Sequence, residues 1–275
     1  VRIFAFGCSF TKYSWPTWAD IIAKDLPGYK YYNYAGVGLG NYAIQCLMLE
    51  ADVRHKFNDT DIILVCWSTW QREDRFVESR NGWQYGMGNV LRNNIDATFV
   101  ENYWSMENDV ITSATAIITC NRLFNITYQC SLVPMFLPSE KANDVSMQRD
   151  FPLATDIHKF YINNLPTDMD DWCNFKECGR PGRNIWFTTP ETSFSGTMTD
   201  DPHADVTAQL LWVTSRVAPA LSITISEETV RWCEHIQEKI VQFSNISKNR
   251  HEVFLRIGDD IPWDRGVDHE QFKYE

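Results

Sequence analysis

The chain has 275 residues, 44% hydrophobic and 22% charged, with 36 Asp and Glu against 25 Lys and Arg for a formal charge of −11. That length allows one large domain, or one domain with insertions, and a sizeable core. The acidic balance, with no basic cluster, excludes a nucleic-acid partner held by phosphate neutralisation, and no stretch reaches the ~18 apolar residues of a membrane span.

Arg2 to Phe6 (RIFAF) reads as a buried strand, and this direct entry into a strand predicts a chain without a signal peptide. A turn at Ser9 comes next, and Trp15-Pro16-Thr17-Trp18 predicts the start of a helix whose apolar face is Trp18, Ile21, Ile22 and Leu26. Tyr31 to Tyr34 is a second strand, succeeded by the Gly-rich turn Ala35-Gly36-Val37-Gly38-Leu39-Gly40. Asn41 is the predicted cap of a second helix, in which Ile44, Leu47, Met48 and Ala51 recur at helical spacing. Asp61 to Trp67 is a third strand, continuous in apolar residues as a central parallel strand is. Strand, helix, strand, helix, strand is the opening of a doubly wound α/β sheet.

From residue 76 to about 98 the periodicity gives way to Gly, Asn and aromatics, the composition of a lid, binding loop or contact surface. A helix is predicted from about Asn102 to Phe124, a strand from Ile126 to Phe136, and a second irregular insertion over 139–183. Asn184 to Thr188 predicts a short strand, Val206 to Val217 a helix, and Ser226 onward a final amphipathic helix with Val230, Cys233, Ile236, Ile240 and Phe243 on one face. The expected organisation is one α/β domain over 1–221, with insertions at about 76–100 and 139–183, and a C-terminal helix and tail over 222–275 that carries a short strand at Val253–Leu255.

The eight cysteines are scattered, and Cys8, Cys46 and Cys66 fall in apolar stretches, as free thiols in a reducing cytoplasm do. Cys173 and Cys178 have the spacing of a local disulfide or half a metal site, but no second Cys or His pair at finger spacing is present, so no metal is expected. Gly36, Gly38 and Gly40 do not match the dinucleotide fingerprint, and no Lys-Ser/Thr succeeds them as in a phosphate loop. Arg72 and Glu73 read equally as a surface ion pair or as part of a site, and His55, His158, His235, His251 and His269 read as solvated positions.

In an open α/β sheet, ligands bind beyond the carboxyl ends of the strands. Ser9, Gly38 and Trp67-Ser68-Thr69 all come directly after predicted strands, and Asp200 and His203 stand just before a late helix. Such residues suit nucleophilic catalysis: His203 to deprotonate Ser9, Asp200 to fix the imidazole, and the N–H groups of Ser9 and Gly38 to face a developing oxyanion. Asp201 stands as the alternative acid.

On these residues the chain resembles the SGNH hydrolases (the GDSL esterase/lipase superfamily), over roughly residues 1–75 and 184–220, and in particular a divergent branch found in phage genomes. The family's Gly-Asp-Ser block appears as Gly7-Cys8-Ser9, its Asn and following Gly as Asn33 and Gly38, and its Asp-x-x-His as Asp200 and His203. The third block departs: where the family has Gly-x-Asn-Asp, this chain reads Trp67-Ser68-Thr69-Trp70-Gln71-Arg72-Glu73, which leaves Thr69 or Ser68 as the side-chain donor. The resemblance implies a flavodoxin-like, three-layer α/β/α sheet and a cofactor-free serine esterase. It also implies an O-acyl substrate, an acetyl ester on a carbohydrate above others, touched by Trp67, Arg72, Trp83 and Tyr85. A lipase or thioesterase would need a long apolar groove, which the polar insertions do not suggest. The alternative of a different class is an SGNH scaffold that serves as a structural or binding component, for example of a virion, with homo-oligomer or particle contacts on its insertions.

Overall fold

The structure, a computed structural model, describes residues 1–13, 15–36, 38–68, 72, 74, 76–77, 82–83, 102, 105–127, 131–136, 170–171, 186–187, 199–200 and 205–246. It divides into two compact units, one comprising Val1–Thr11, Lys30–Cys173 and Gly266–Glu275, the other Lys12–Tyr29 and Asn174–Arg265.

The first unit is an α/β body built on a parallel sheet. Its strands are β1 (Arg2–Gly7), β2 (Lys30–Asn33) and β3 (Ile62–Trp67), joined by β6 (Ser131–Phe136) and β7 (Asp170–Asp171) in the order β2-β1-β3-β6-β7. A separate antiparallel pair, β4 (Phe76–Val77) and β5 (Gly82–Trp83), begins the segment read from sequence as irregular. β1 lies between β2 and β3, with Ala5 opposite Asn33 on one side and Gly7 opposite Cys66 on the other.

Helix α2 (Asn41–His55) and helix α3 (Met106–Thr127) cover one face of this sheet. Phe4 and Phe6 of β1 and Ile63, Val65 and Trp67 of β3 meet Ile44, Leu47, Met48 and Ala51 of α2 and Ile117, Cys120 and Phe124 of α3. The alternate residues Ile3, Ala5, Leu64 and Cys66 are also fully buried, so the strands are covered on both faces and read as unbroken apolar runs. The four α2 positions picked out by their spacing are all buried.

Three local expectations are corrected. Gly40, not Asn41, is the cap residue of α2, and Asn41 is the first helical residue. The helix expected to end near Phe124 continues to Thr127, so β6 starts at Ser131 instead of Ile126. The stretch 125–127 (Asn-Ile-Thr) is weak in helix propensity, but Ile117, Cys120 and Phe124 anchor the turns before it in the core. His55, read as solvated, is half-buried at the end of α2 among the rings of Phe4, Tyr32 and Tyr34.

The second unit packs α1 (Trp18–Asp25), α4 (Val206–Trp212) and α5 (Glu227–Ile246), and holds the two-stranded pair β8 (Trp186–Phe187) and β9 (Thr199–Asp200). The predicted helix over 206–217 is α-helical only to Trp212 and then takes a π-helical turn, Val213–Val217. Pro16 precedes α1 instead of entering it; Thr17 is the cap, and the Asp20 carboxylate accepts from its N–H at 2.8 Å. Buried Gln209 of α4 accepts from the Trp18 N–H of α1 at 3.1 Å, and Gln237 of α5 accepts from the Val206 N–H of α4 at the same distance. The starts of α1 and α4 thus each give one N–H to a glutamine of another helix of this unit. Trp18 and Trp212 meet edge to face with ring centroids 5.6 Å apart. The face expected on α5 is seen in the burial of Cys233, Ile236 and Ile240. The expected strand at Val253–Leu255 and the Cys173–Cys178 segment lie outside the described residues.

Candidate functional site

The carboxyl ends of β2, β1 and β3 lie side by side, and the segments leaving them form the candidate site. The chain leaves β1 through a tight turn over Cys8, Ser9, Phe10 and Thr11, closed by the Thr11 N–H donating to the Cys8 carbonyl at 2.9 Å. Ser9 is the second residue of this turn and is buried, with 5% of its surface exposed. Gly7 makes the turn sterically feasible. It holds φ at +156°, and a Cβ there would run onto the Thr11 hydroxyl and lie 2.9 Å from Thr11 Cβ and 3.0 Å from the Cys66 carbonyl oxygen. The Thr11 hydroxyl lies beside the Cys66 thiol. Burial, and next the neighbouring Cys8, push that thiol well above its ordinary range, so it stays protonated and is no nucleophile.

Asn33 ties the turn to β2. Its side-chain amide donates to the Thr11 carbonyl at 3.1 Å and to the Tyr31 hydroxyl at 2.9 Å, and its oxygen accepts from the Ala35 N–H at 3.0 Å. Beyond it, the Gly36 N–H donates to the Gly7 carbonyl at 3.1 Å, so the chain after β2 runs beside the Ser9 turn. Gly36 to Leu39 is itself a turn, with the Leu39 N–H on the Gly36 carbonyl at 3.4 Å. Gly38 in this turn has φ +80°, a positive value that glycine adopts without steric cost.

The segment after β3 is fastened to the start of α2. Asn41 pairs with both backbone groups of Ser68: its oxygen accepts from the Ser68 N–H at 2.7 Å and its amide donates to the Ser68 carbonyl at 3.1 Å. Arg72 donates to the Leu39 carbonyl at 2.9 Å. The Asp74 carboxylate accepts from the Gly40 N–H at 2.7 Å and the Ala43 N–H at 2.9 Å, capping the helix from a distant part of the chain. Gly40 allows the approach, because a Cβ there would stand 2.5 Å from Asp74 Oδ2 and 2.9 Å from the Arg72 carbonyl oxygen. With these N–H groups engaged by Asp74, the Gly-rich turn does not offer the open helix terminus that a phosphate needs.

Of the residues singled out in sequence, Ser9, Gly38 and Ser68 therefore stand on neighbouring segments at one edge of the first unit. Ser68 is fully buried, and its hydroxyl has no hydrogen-bond partner among the described residues. Trp67, expected to touch substrate, is 2% exposed and belongs to the apolar cluster beneath α2 and α3. Arg72 is half-buried and fixes the loop; Glu73, the other half of the expected ion pair, lies outside the described residues. Asp200 is the last residue of β9 in the second unit, and the backbone of Trp83 belongs to β5. His203, Asp201, Thr69 and Tyr85 lie outside the described residues.

No family model matches the chain, and a search of curated proteins finds no match.

Sequence reading missed Asn41 and Asp74 as parts of this edge. Asn41 carried a signal, since an Asn after a Gly-rich turn is a capping residue, but its partner across the sheet edge is set by the fold. Asp74 carried none. Among the described residues no three His, Cys, Asp or Glu side chains converge as a metal site requires, and no helix is long and apolar enough to cross a membrane.

Proposed function

We propose that this chain is a serine ester hydrolase of the SGNH type, acting on an O-acyl ester, specifically an acetyl ester on a carbohydrate. The observation that carries the reading is the neighbourhood of Ser9. It occupies a tight turn beyond β1, between the Gly38 turn after β2 and the Ser68 segment after β3. A nucleophile with oxyanion donors on either side is what acyl transfer at a strand edge needs. The sheet order β2-β1-β3-β6-β7 is also the order of a flavodoxin-like sheet, which supports a three-layer α/β/α fold.

In this reading His203 accepts the Ser9 proton as Oγ attacks the acyl carbon, and Asp200 orients the imidazole and stabilises the imidazolium. The N–H groups of Ser9 and Gly38, with a hydroxyl from Ser68 or Thr69, receive the charge on the carbonyl oxygen. Collapse of the tetrahedral intermediate breaks the ester C–O bond, and His203 returns the proton to the departing alcohol. Water, deprotonated by His203, then releases the acyl group as a carboxylate and restores Ser9. Arg72, Trp83 and Tyr85 are the proposed substrate contacts, the aromatic rings giving a sugar faces to stack on. No cofactor takes part.

The test is hydrolysis of p-nitrophenyl acetate by the full chain and by Ser9→Ala, with fluorophosphonate labelling of both. Turnover and labelling by the wild type, both lost in the variant, are the expected result. One observation favours a second reading: Arg72 and Asp74, at the place of the family's third block, serve to tie a loop to a helix. A scaffold that keeps this architecture as a binding or particle component, without catalysis, would do the same. A well-folded wild type that neither turns over nor labels would replace the first reading with the second.

A further inference from the structure

We infer that the Ser68 hydroxyl is the side-chain donor of the oxyanion hole and that Asn41 is the residue positioning it, an inference that rests on the ester-hydrolase reading above.

Ser68 and Ser9 bear a simple relation in the sheet. Gly7 of β1 and Cys66 of β3 are partners in register, and each serine stands two residues beyond that shared rung. Ser9 and Ser68 therefore stand on the segments that leave neighbouring parallel strands at the same end of the sheet.

The hydrogen bonding of Ser68 separates its backbone from its side chain. Asn41, itself buried with 1% exposure, engages both the Ser68 N–H and the Ser68 carbonyl. This two-point grip fixes the peptide on both sides of the Ser68 Cα and leaves the hydroxyl as the group still free to bond. That hydroxyl is fully buried and has no partner among the described residues. An unmade bond of this kind costs about 1–3 kcal/mol, and buried polar groups left unpaired are rare in folded proteins. A carbonyl oxygen that gains negative charge beside Ser9 is an acceptor of the right kind, and it is present only during the reaction.

Asn41 is held in turn. It opens α2, whose first turn is fixed by Asp74 on the Gly40 and Ala43 N–H groups and by Arg72 on the Leu39 carbonyl. The donor is thus preorganised by contacts that do not depend on substrate, as electrostatic stabilisation of a transition state requires. Asn41 touches no reacting atom. It acts through Ser68.

The experiment is steady-state hydrolysis of p-nitrophenyl acetate by the full chain and by Ser68→Ala, Ser68→Cys, Asn41→Ala and the Asn41→Ala/Ser68→Ala double variant. Ser68→Ala is expected to lower kcat by about 10²–10³ with KM within about threefold, the pattern of a contact made only in the transition state. Ser68→Cys keeps the side-chain volume with a weak donor, is expected to lose at least about tenfold in kcat, and decides the matter if Ser68→Ala fails to fold. Asn41→Ala is expected to lose at least about tenfold in kcat, and the double variant to be no slower than Ser68→Ala, because a positioning residue has nothing left to position. An active wild type with unchanged kcat in Ser68→Cys overturns the inference alone. So does a double variant in which the two losses multiply. A wild type that neither hydrolyses the ester nor reacts with fluorophosphonate overturns the ester-hydrolase reading itself.

Discussion

Replacing Asp74 by Ala tests whether the loop after β3 and the start of α2 form one mechanical piece. The carboxylate accepts from two backbone N–H groups, at 2.7 Å from Gly40 and 2.9 Å from Ala43. Removing a capping acceptor costs about 0.5–2 kcal/mol, and removing an anion from a helix N-terminus adds about 0.3–1 kcal/mol. The sum is about 2 kcal/mol for Asp74→Ala. Asp74→Asn retains one acceptor oxygen and loses the charge, and its expected cost is about half of that. Gly40→Ala attacks the same contact from the other side, since its Cβ would stand 2.5 Å from Asp74 Oδ2 and 2.8 Å from Arg72 Cβ. The two substitutions should be strongly non-additive, the double variant losing little more than the worse single one. The assay is urea unfolding followed by Trp fluorescence, reading the midpoint at constant slope. A loss below about 0.5 kcal/mol in Asp74→Ala, or full additivity with Gly40→Ala, would refute the reasoning.

Gly7→Ala should destabilise by about 1–3 kcal/mol, because the new methyl group meets Thr11 and the Cys66 carbonyl at a positive φ; thermal melting checks it. Asp61→Ala should cost about 3 kcal/mol, measured by urea unfolding. Its fully buried carboxylate takes two hydrogen bonds from Arg2, at 2.8 and 2.6 Å, and one from the Asn58 N–H at 2.8 Å. For His55, burial first and then the charges of Arg2, Lys30 and Arg54 lower the ring below its ordinary pKa of 6.5, and the Tyr34 hydroxyl lies 2.7 Å from its Nε2. Between the lowered value and 6.5 the unfolded chain binds the extra proton, so stability falls as pH drops below 6.5. Unfolding midpoints over that range should show a slope that His55→Phe reduces, and an equal slope in both proteins would contradict the assignment.

The features legible in the sequence are those that depend on neighbours in the chain. β1 and β3 were plain because strands covered on both faces keep an unbroken apolar run, and α2 because Ile44, Leu47, Met48 and Ala51 fall on one side of a 3.6-residue repeat. Ser9, Gly38 and Ser68 could be gathered at one edge because parallel strands all end there. Contacts between distant residues were not legible. Asn41 and Ser68 are 27 positions apart, Gly40 and Asp74 are 34 apart, and nothing local marks either pair. His55 read as a solvated position, yet its ring lies against Tyr32 with centroids 4.5 Å apart, a contact set by the packing of β2 against α2.

The same distant contacts bear on the third block of the resemblance. A family motif lost at one place is ordinarily grounds for doubting the chemistry there. In this chain the altered segment is held by three side chains, with Asn41 on Ser68, Arg72 on Leu39 and Asp74 on Gly40 and Ala43. Two of the three contacts reach α2 or its cap, and the third holds the turn that carries Gly38. The altered block thus couples the Gly38 turn, the Ser68 segment and the helix between them into one rigid edge. Such an edge serves either proposal. In the ester hydrolase it would hold a short hydroxyl close to its place, since a donor with less reach than an amide tolerates less displacement. In a scaffold it would only keep loop and helix together, so the loss of kcat in Ser68→Cys is what separates the two.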